Sequence, residues 1–97
     1  MEATIKAIHF EISDRLVSFI NKKIDKLVRR YESITAAEVN LTLVKPETIK
    51  NKEAGIKLTV PGHADLFAAK TADSFEEAID LSLEALEKQL EKEKGKK

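Results

Sequence analysis

From Ser74 to Lys97 the chain carries its longest helical signal, and that stretch has the most to say about what the rest must build. Ser74 is followed three residues later by the carboxylate of Glu77, the pattern of a capped helix start. Phe75, Ile79, Ser82, Leu83, Leu86 and Leu90 then recur at 3–4-residue spacing as one stripe. Neither proline nor glycine interrupts it before Gly95. Asp73 to Glu87 holds six carboxylates and no Lys or Arg, whereas Lys88 to Lys97 holds five lysines and two glutamates. Acids first and bases last is the order a helix dipole prefers. A well-capped amphipathic helix with a solvated tail accounts for the pattern; a basic end that binds anions is the sharper alternative.

A second helix is expected over Asp14 to Tyr31, with Ser13 as N-cap. Leu16, Val17, Ile20, Ile24, Leu27, Val28 and Tyr31 lie on one side, and Lys22, Lys23, Lys26, Arg29 and Arg30 on the other. Between Arg15 and Arg30 there are six basic residues against the single acid Asp25. The remaining segments have period two. A short strand is expected over Ala3 to Ile8, joined to the helix by His9 to Ile12, and a second strand over Ala37 to Lys45. Pro46 ends that strand, and Glu47 to Gly55 reads as a hairpin loop. A third strand is expected over Ile56 to Val60, a turn at Pro61-Gly62, and a fourth, less regular strand over His63 to Lys70.

The order is therefore β-α-β-β-β-α, an α+β fold in two layers: a four-stranded sheet with both helices packed on one face. A right-handed crossover puts strands one and two parallel, and the two short connections after them make an antiparallel meander. The two apolar stripes are then buried on Val39, Leu41, Leu43, Ile56, Leu58 and Val60. The outer helix faces lie side by side, where the basic residues of helix one are expected to merge with Lys88, Lys92, Lys94 and Lys96.

The chain has 97 residues, 42% hydrophobic and 35% charged, which fits one globular domain over 1–97, with 91–97 as a frayed Lys-rich tail. With no cysteine there is no disulfide framework or thiolate metal site. No apolar run reaches the roughly 20 residues of a membrane span, and the N-terminus lacks the pattern of a secretory signal. The expectation is a cytoplasmic protein with no membrane partner. Net charge is +0, so any case for nucleic-acid binding rests on how the charges are distributed.

Two stretches resemble the bacterial ribosome hibernation promoting factors in their short form, also called ribosome-associated inhibitor or protein Y and formerly sigma-54 modulation protein. One is Phe19-Ile20-Asn21-Lys22-Lys23-Ile24-Asp25-Lys26-Leu27, similar to the family's aromatic followed by Lys-x-x-Lys-Leu. The other is Ala78-Ile79-Asp80 followed by Leu86-Glu87-Lys88-Gln89-Leu90-Glu91-Lys92-Glu93-Lys94-Gly95-Lys96, similar to the family's Ala-Ile-Asp and Leu-x-Arg/Lys-Gln-Leu-x-Lys-x-Lys ending. Differences fall at Ala85, where the family often has Lys, at Glu76 in place of an aromatic, and at Lys88 where Arg is common. The long-form family adds a C-terminal dimerisation domain, and the resemblance to the short form carries the expectation that this chain lacks one.

The resemblance implies a translation inhibitor of starvation or stationary phase. It would bind small-subunit rRNA at the decoding channel and block the messenger and transfer RNA sites, with a second hibernation factor as a further partner. The resemblance carries this role to Lys23, Lys26, Lys88, Lys92, Lys94 and Lys96, and Lys22, Arg29 and Arg30 on the same basic face of helix one complete the expected rRNA-binding set. Such groups would release counterions from phosphates without reading sequence. A solvated charged face is the plain alternative reading of the helix-one cations.

Other function classes have less support. A protein-interaction module that self-associates or takes an acidic partner without RNA is the alternative function. A double-stranded RNA-binding domain shares the α-β-β-β-α order, but Asp73, Glu76, Glu77 and Asp80 at the second helix start would repel phosphate. His9 and His63 stand apart from any ligand cluster, and the acids Glu76, Glu77, Asp80 and Glu84 read as a solvated face rather than a cation site. Ser13 and Ser74 are caps before they are nucleophiles, and there is no Gly-rich phosphate loop. Neither an enzyme nor a cofactor nor a small-molecule substrate is expected.

Overall fold

The computed structural model describes residues 3–8, 10–44, 51–62 and 64–95. Its elements run β1 (Thr4–Ile8), α1 (Asp14–Arg30), β2 (Ala36–Leu43), β3 (Lys52–Thr59), β4 (Leu66–Ala72) and α2 (Phe75–Gly95). The sheet has the spatial order β1-β2-β3-β4. β1 lies parallel to β2, as the α1 crossover requires, and the β2–β3 and β3–β4 pairs are antiparallel.

Period two decides which side of the sheet is dry. Ala37, Val39 and Leu41 of β2 stand opposite Leu58, Ile56 and Ala54 of β3, all buried. Ile20, Ile24 and Leu27 of α1 and Ala78, Ile79, Leu83 and Leu86 of α2 close over them in one core. Both helix starts are capped as the sequence indicates: Leu16 N–H donates to Ser13 Oγ at 3.2 Å, and Glu77 N–H to Ser74 Oγ at 3.1 Å. Phe10, in the connector before α1, stacks on Phe75 with ring centroids 4.5 Å apart and ties the starts of the two helices together.

Two boundaries differ from expectation. β3 begins at Lys52, so Gly55 is mid-strand rather than the end of a loop. It pairs with Asn40 on one side and Ala69 on the other. The Phe67 ring lies over it, with Cζ 3.3 Å from where a Cβ would sit, and so supplies the cover the glycine lacks. Polar Lys52 and Glu53, both half-buried, disguise this half of the strand. β4 spans Leu66–Ala72 rather than 63–70; its inward positions include Ala68 and Ala72, small residues that let α2 approach closely. His9, Pro46, His63 and the first part of the expected hairpin loop, 47–50, lie outside the described residues.

Ser82 is fully buried on the α2 stripe, and its hydroxyl donates to Ala54 C=O at 2.9 Å, fastening α2 to the middle of the sheet. Ser82→Ala removes that single bond and should cost about 1 kcal/mol in urea unfolding. Ile24→Ala, which empties a fully buried site, should cost about 2–5 kcal/mol and so threaten a domain of this size.

Candidate nucleic-acid interface

The two helices are parallel neighbours, and polar groups link them along their length. Lys23 Nζ lies 3.1 Å from Asp80 Oδ1, and Arg30 Nη1 lies 3.7 Å from Glu87 Oε2. Tyr31, the C-cap of α1, donates its phenol proton to Glu91. Lys23 also sits 5.4 Å from the centre of the Phe19 ring, and Arg30 5.7 Å from that of Tyr31, positions that favour a cation. Between the helices runs a groove of about 420 Å³ whose walls include Lys23, Lys26 and Arg30 from α1 and Asp80, Glu84 and Glu87 from α2. Its three cations face three carboxylates.

This corrects the expectation that the two basic sets merge. At about 100° per residue, Lys88 and Lys92 stand roughly 60–140° round α2 from Glu87 and Glu91, which face α1. The acids Asp80, Glu84, Glu87 and Glu91 therefore form a ridge between the helix-one cations and the α2 lysines. Lys94 belongs to the last turn of α2, and Lys96 lies outside the described residues.

What does stay together is the solvent side of α1. Arg15, Lys22 and Arg29 recur every seven residues, and with Lys26 they form one exposed row. Among the described residues none of the four is ion-paired to a carboxylate. Arg15 is absent from the set expected from sequence, although its spacing to Lys22 and Arg29 was there to be read. The paired cations are not lost to the row. Lys23, Asp80, Arg30 and Glu87 are each 40–65% exposed, and ion pairs so open to water contribute about 0–1 kcal/mol. A phosphate can exchange with such a carboxylate at little cost.

Among the described residues no group of three or more His, Asp or Glu is placed to hold a metal ion, and no helix is long and apolar enough to cross a membrane.

Fold and charge together define a small βαβββα module that carries on one helix a cationic row, unpaired among the described residues. The chain belongs to the family described as Sigma 54 modulation protein / S30EA ribosomal protein, whose profile matches residues 3–97. It is 31% identical over 96 residues to a ribosome hibernation promoting factor of Azotobacter vinelandii, with 99% of this chain and 85% of that protein aligned. The fold is similar to that of a ribosomal subunit interface protein from Coxiella burnetii, with a TM-score of 0.86, 24% identity and 99% and 100% of the two chains covered. It is also similar to the N-terminal domain of Thermus thermophilus Protein Y, with a TM-score of 0.77, 24% identity and 95% and 98% covered.

The Tyr31–Glu91 bond makes one interhelix link testable by pH. Hydrogen bonding to the Glu91 carboxylate raises the Tyr31 pKa above its ordinary value, and burial raises it further. A raised folded-state pKa contributes stability that is fully present below the unfolded value of about 10 and is lost as pH rises through the folded value. Tyr31→Phe should therefore cost about 1 kcal/mol at neutral pH, and the stability gap between wild type and variant should close in alkaline buffer. Urea titrations of both proteins from neutral pH upward measure it.

Proposed function

We propose that the protein is a non-enzymatic, cytoplasmic, ribosome-associated translation inhibitor. It settles on small-subunit rRNA at the decoding channel and blocks the messenger and transfer RNA sites under starvation. Family membership and the hibernation-factor relative support ribosome association. The observation that carries RNA contact is the unpaired row Arg15, Lys22, Lys26 and Arg29 on a helix held rigid by its buried face. Fixed cations at helical spacing neutralise a phosphate backbone without reading bases, the mode suited to a folded RNA surface. Lys23 and Arg30 join by releasing Asp80 and Glu87. Lys88 and Lys92 form a second contact beyond the acidic ridge, to which Lys94 and Lys96 add charge in the sequence that follows, so the RNA touches the protein at two separated places.

The acidic ridge also sets a geometric condition. Asp80, Glu84, Glu87 and Glu91 repel phosphate, so the backbone has to straddle the α2 crest rather than lie in the groove. That condition separates this reading from simple adhesion to any polyanion.

Co-sedimentation with purified ribosomes tests it. Lys22→Glu with Arg29→Glu should abolish pelleting at physiological salt while leaving the circular dichroism spectrum unchanged. Milder neutralisation, Lys22→Gln with Arg29→Gln, should flatten the slope of log K against log salt by roughly 1.5–2, the loss of two phosphate contacts. Unchanged pelleting in the charge-reversed pair would remove the α1 row as the site.

A further inference from the structure

At the end of the sheet away from α1, β4 leaves an edge that no strand among the described residues completes. The ladder register fixes which way each group of β4 points. Val44 N–H bonds Asn51 C=O at 2.7 Å, so odd residues of β3 turn toward β2 and even residues toward β4. Leu66, Ala68, Lys70 and Ala72 then bond β3, while Phe67, Ala69 and Thr71 turn their N–H and C=O groups to the free edge. One of these groups is already occupied. Gln89 Nε2 of α2 donates to Phe67 C=O at 3.1 Å, a side-chain amide standing where the N–H of a neighbouring strand would be. The rest of the edge carries no proline, no acid and only one lysine, and Phe67 is 55% exposed.

We infer that β4 pairs antiparallel with β4 of a second copy of this chain, joining two sheets into one of eight strands, with the twofold axis at Ala69. Three features make the edge fit itself. In that register Ala69 meets its own copy, Phe67 meets Thr71, and Lys70 meets Ala68, so no like charges stand opposite. Thr71 N–H of one copy replaces the Gln89 amide on Phe67 C=O of the other, so the cap exchanges for a ladder bond. The third feature lies on the α2 flank above the edge. That flank carries Glu77 toward its start, Leu81 and Ala85 in the middle, and Lys88 and Lys92 toward its end.

α2 runs antiparallel to β4, as Gln89 beside Phe67 shows. The helix rises about 1.5 Å and the strand about 3.3 Å per residue, which puts the axis near Leu81 and Ala85. The twofold therefore brings Lys88 and Lys92 of one copy against Glu77 of the other, twice, around an apolar centre that includes Leu81, 38% exposed in the single chain. The association leaves the Arg15–Lys22–Arg29 row on the outer sides of the pair. It does take up Lys88 and Lys92, which the proposed RNA contact uses as its second place, so the two compete there; measured without ribosomes, the association stands or fails apart from the RNA contact of the α1 row.

The test uses the full chain without ribosomes. Sedimentation equilibrium from micromolar to millimolar concentration should show a monomer–dimer equilibrium. Ala69→Pro loses an outward N–H that no strand among the described residues uses; it should be monomeric throughout, with an unchanged circular dichroism spectrum. Should that variant fail to fold, Glu77→Lys provides the second disruption: it should weaken the dimer at least tenfold, and adding Lys88→Glu with Lys92→Glu should restore it. Gln89→Ala should tighten it several-fold. Ala69→Cys, in a chain with no other cysteine, should form a disulfide-linked dimer on mild oxidation, because facing residues of a hydrogen-bonded antiparallel pair have Cα atoms about 5.5 Å apart. A monomer at every concentration overturns the proposal, as does a dimer indifferent to Glu77→Lys or one that Ala69→Cys does not link.

Discussion

Burial of two helical stripes on one face of a four-stranded sheet is the constraint from which the rest follows. A sheet has two faces, and here only one is apolar. Both helices must share it, and the crossover and meander then oblige them to run parallel. Two parallel helices on one narrow sheet have no choice about their neighbours. The flank of α1 that carries Lys23 and Arg30 meets the flank of α2 that carries Asp80 and Glu87. Charges that look like two independent surface features in the sequence become partners because the hydrophobic layer beneath them sets the distance.

This juxtaposition changes how the charge sorting in α2 reads. Its early acids suit the helix dipole, yet the dipole acts mainly within the first turn, and Glu84, Glu87 and Glu91 lie well beyond it. Their position is better understood from across the groove, where they balance the cations of α1. Charges cancel locally in the groove, whereas the net charge of +0 is reached only over the whole chain. The molecule keeps one face that is nearly neutral and one row, Arg15, Lys22, Lys26 and Arg29, that is not. A neutral chain can offer a polyanion a positive surface only if its opposite charges are kept apart, and a rigid helix with one buried side is what keeps them so.

Element types, their order and both N-caps were legible in the sequence, since periodicity and capping are local properties. Tyr31 was legible as a buried residue but not as a donor to Glu91, sixty residues away. The start of β3 was misplaced because Lys52, Glu53 and Gly55 carry no strand signal of their own; they are held by β2 and β4 on either side. The cations of α1 were all visible. Which of them are paired was not, because an ion pair between helices depends on the rotation of each about its own axis.

What the sequence determined by itself is the set of surfaces: two amphipathic helices, strands with one apolar side, and a positive row at heptad spacing. Each of these is set by neighbours within a few residues and needs no knowledge of the fold. What only the tertiary structure decided is which surfaces meet. Packing on a shared sheet face placed an acidic ridge between the two basic sets and turned Lys88 and Lys92 away from α1, because burying the stripe through Ile79, Ser82 and Leu86 leaves α2 no freedom to rotate.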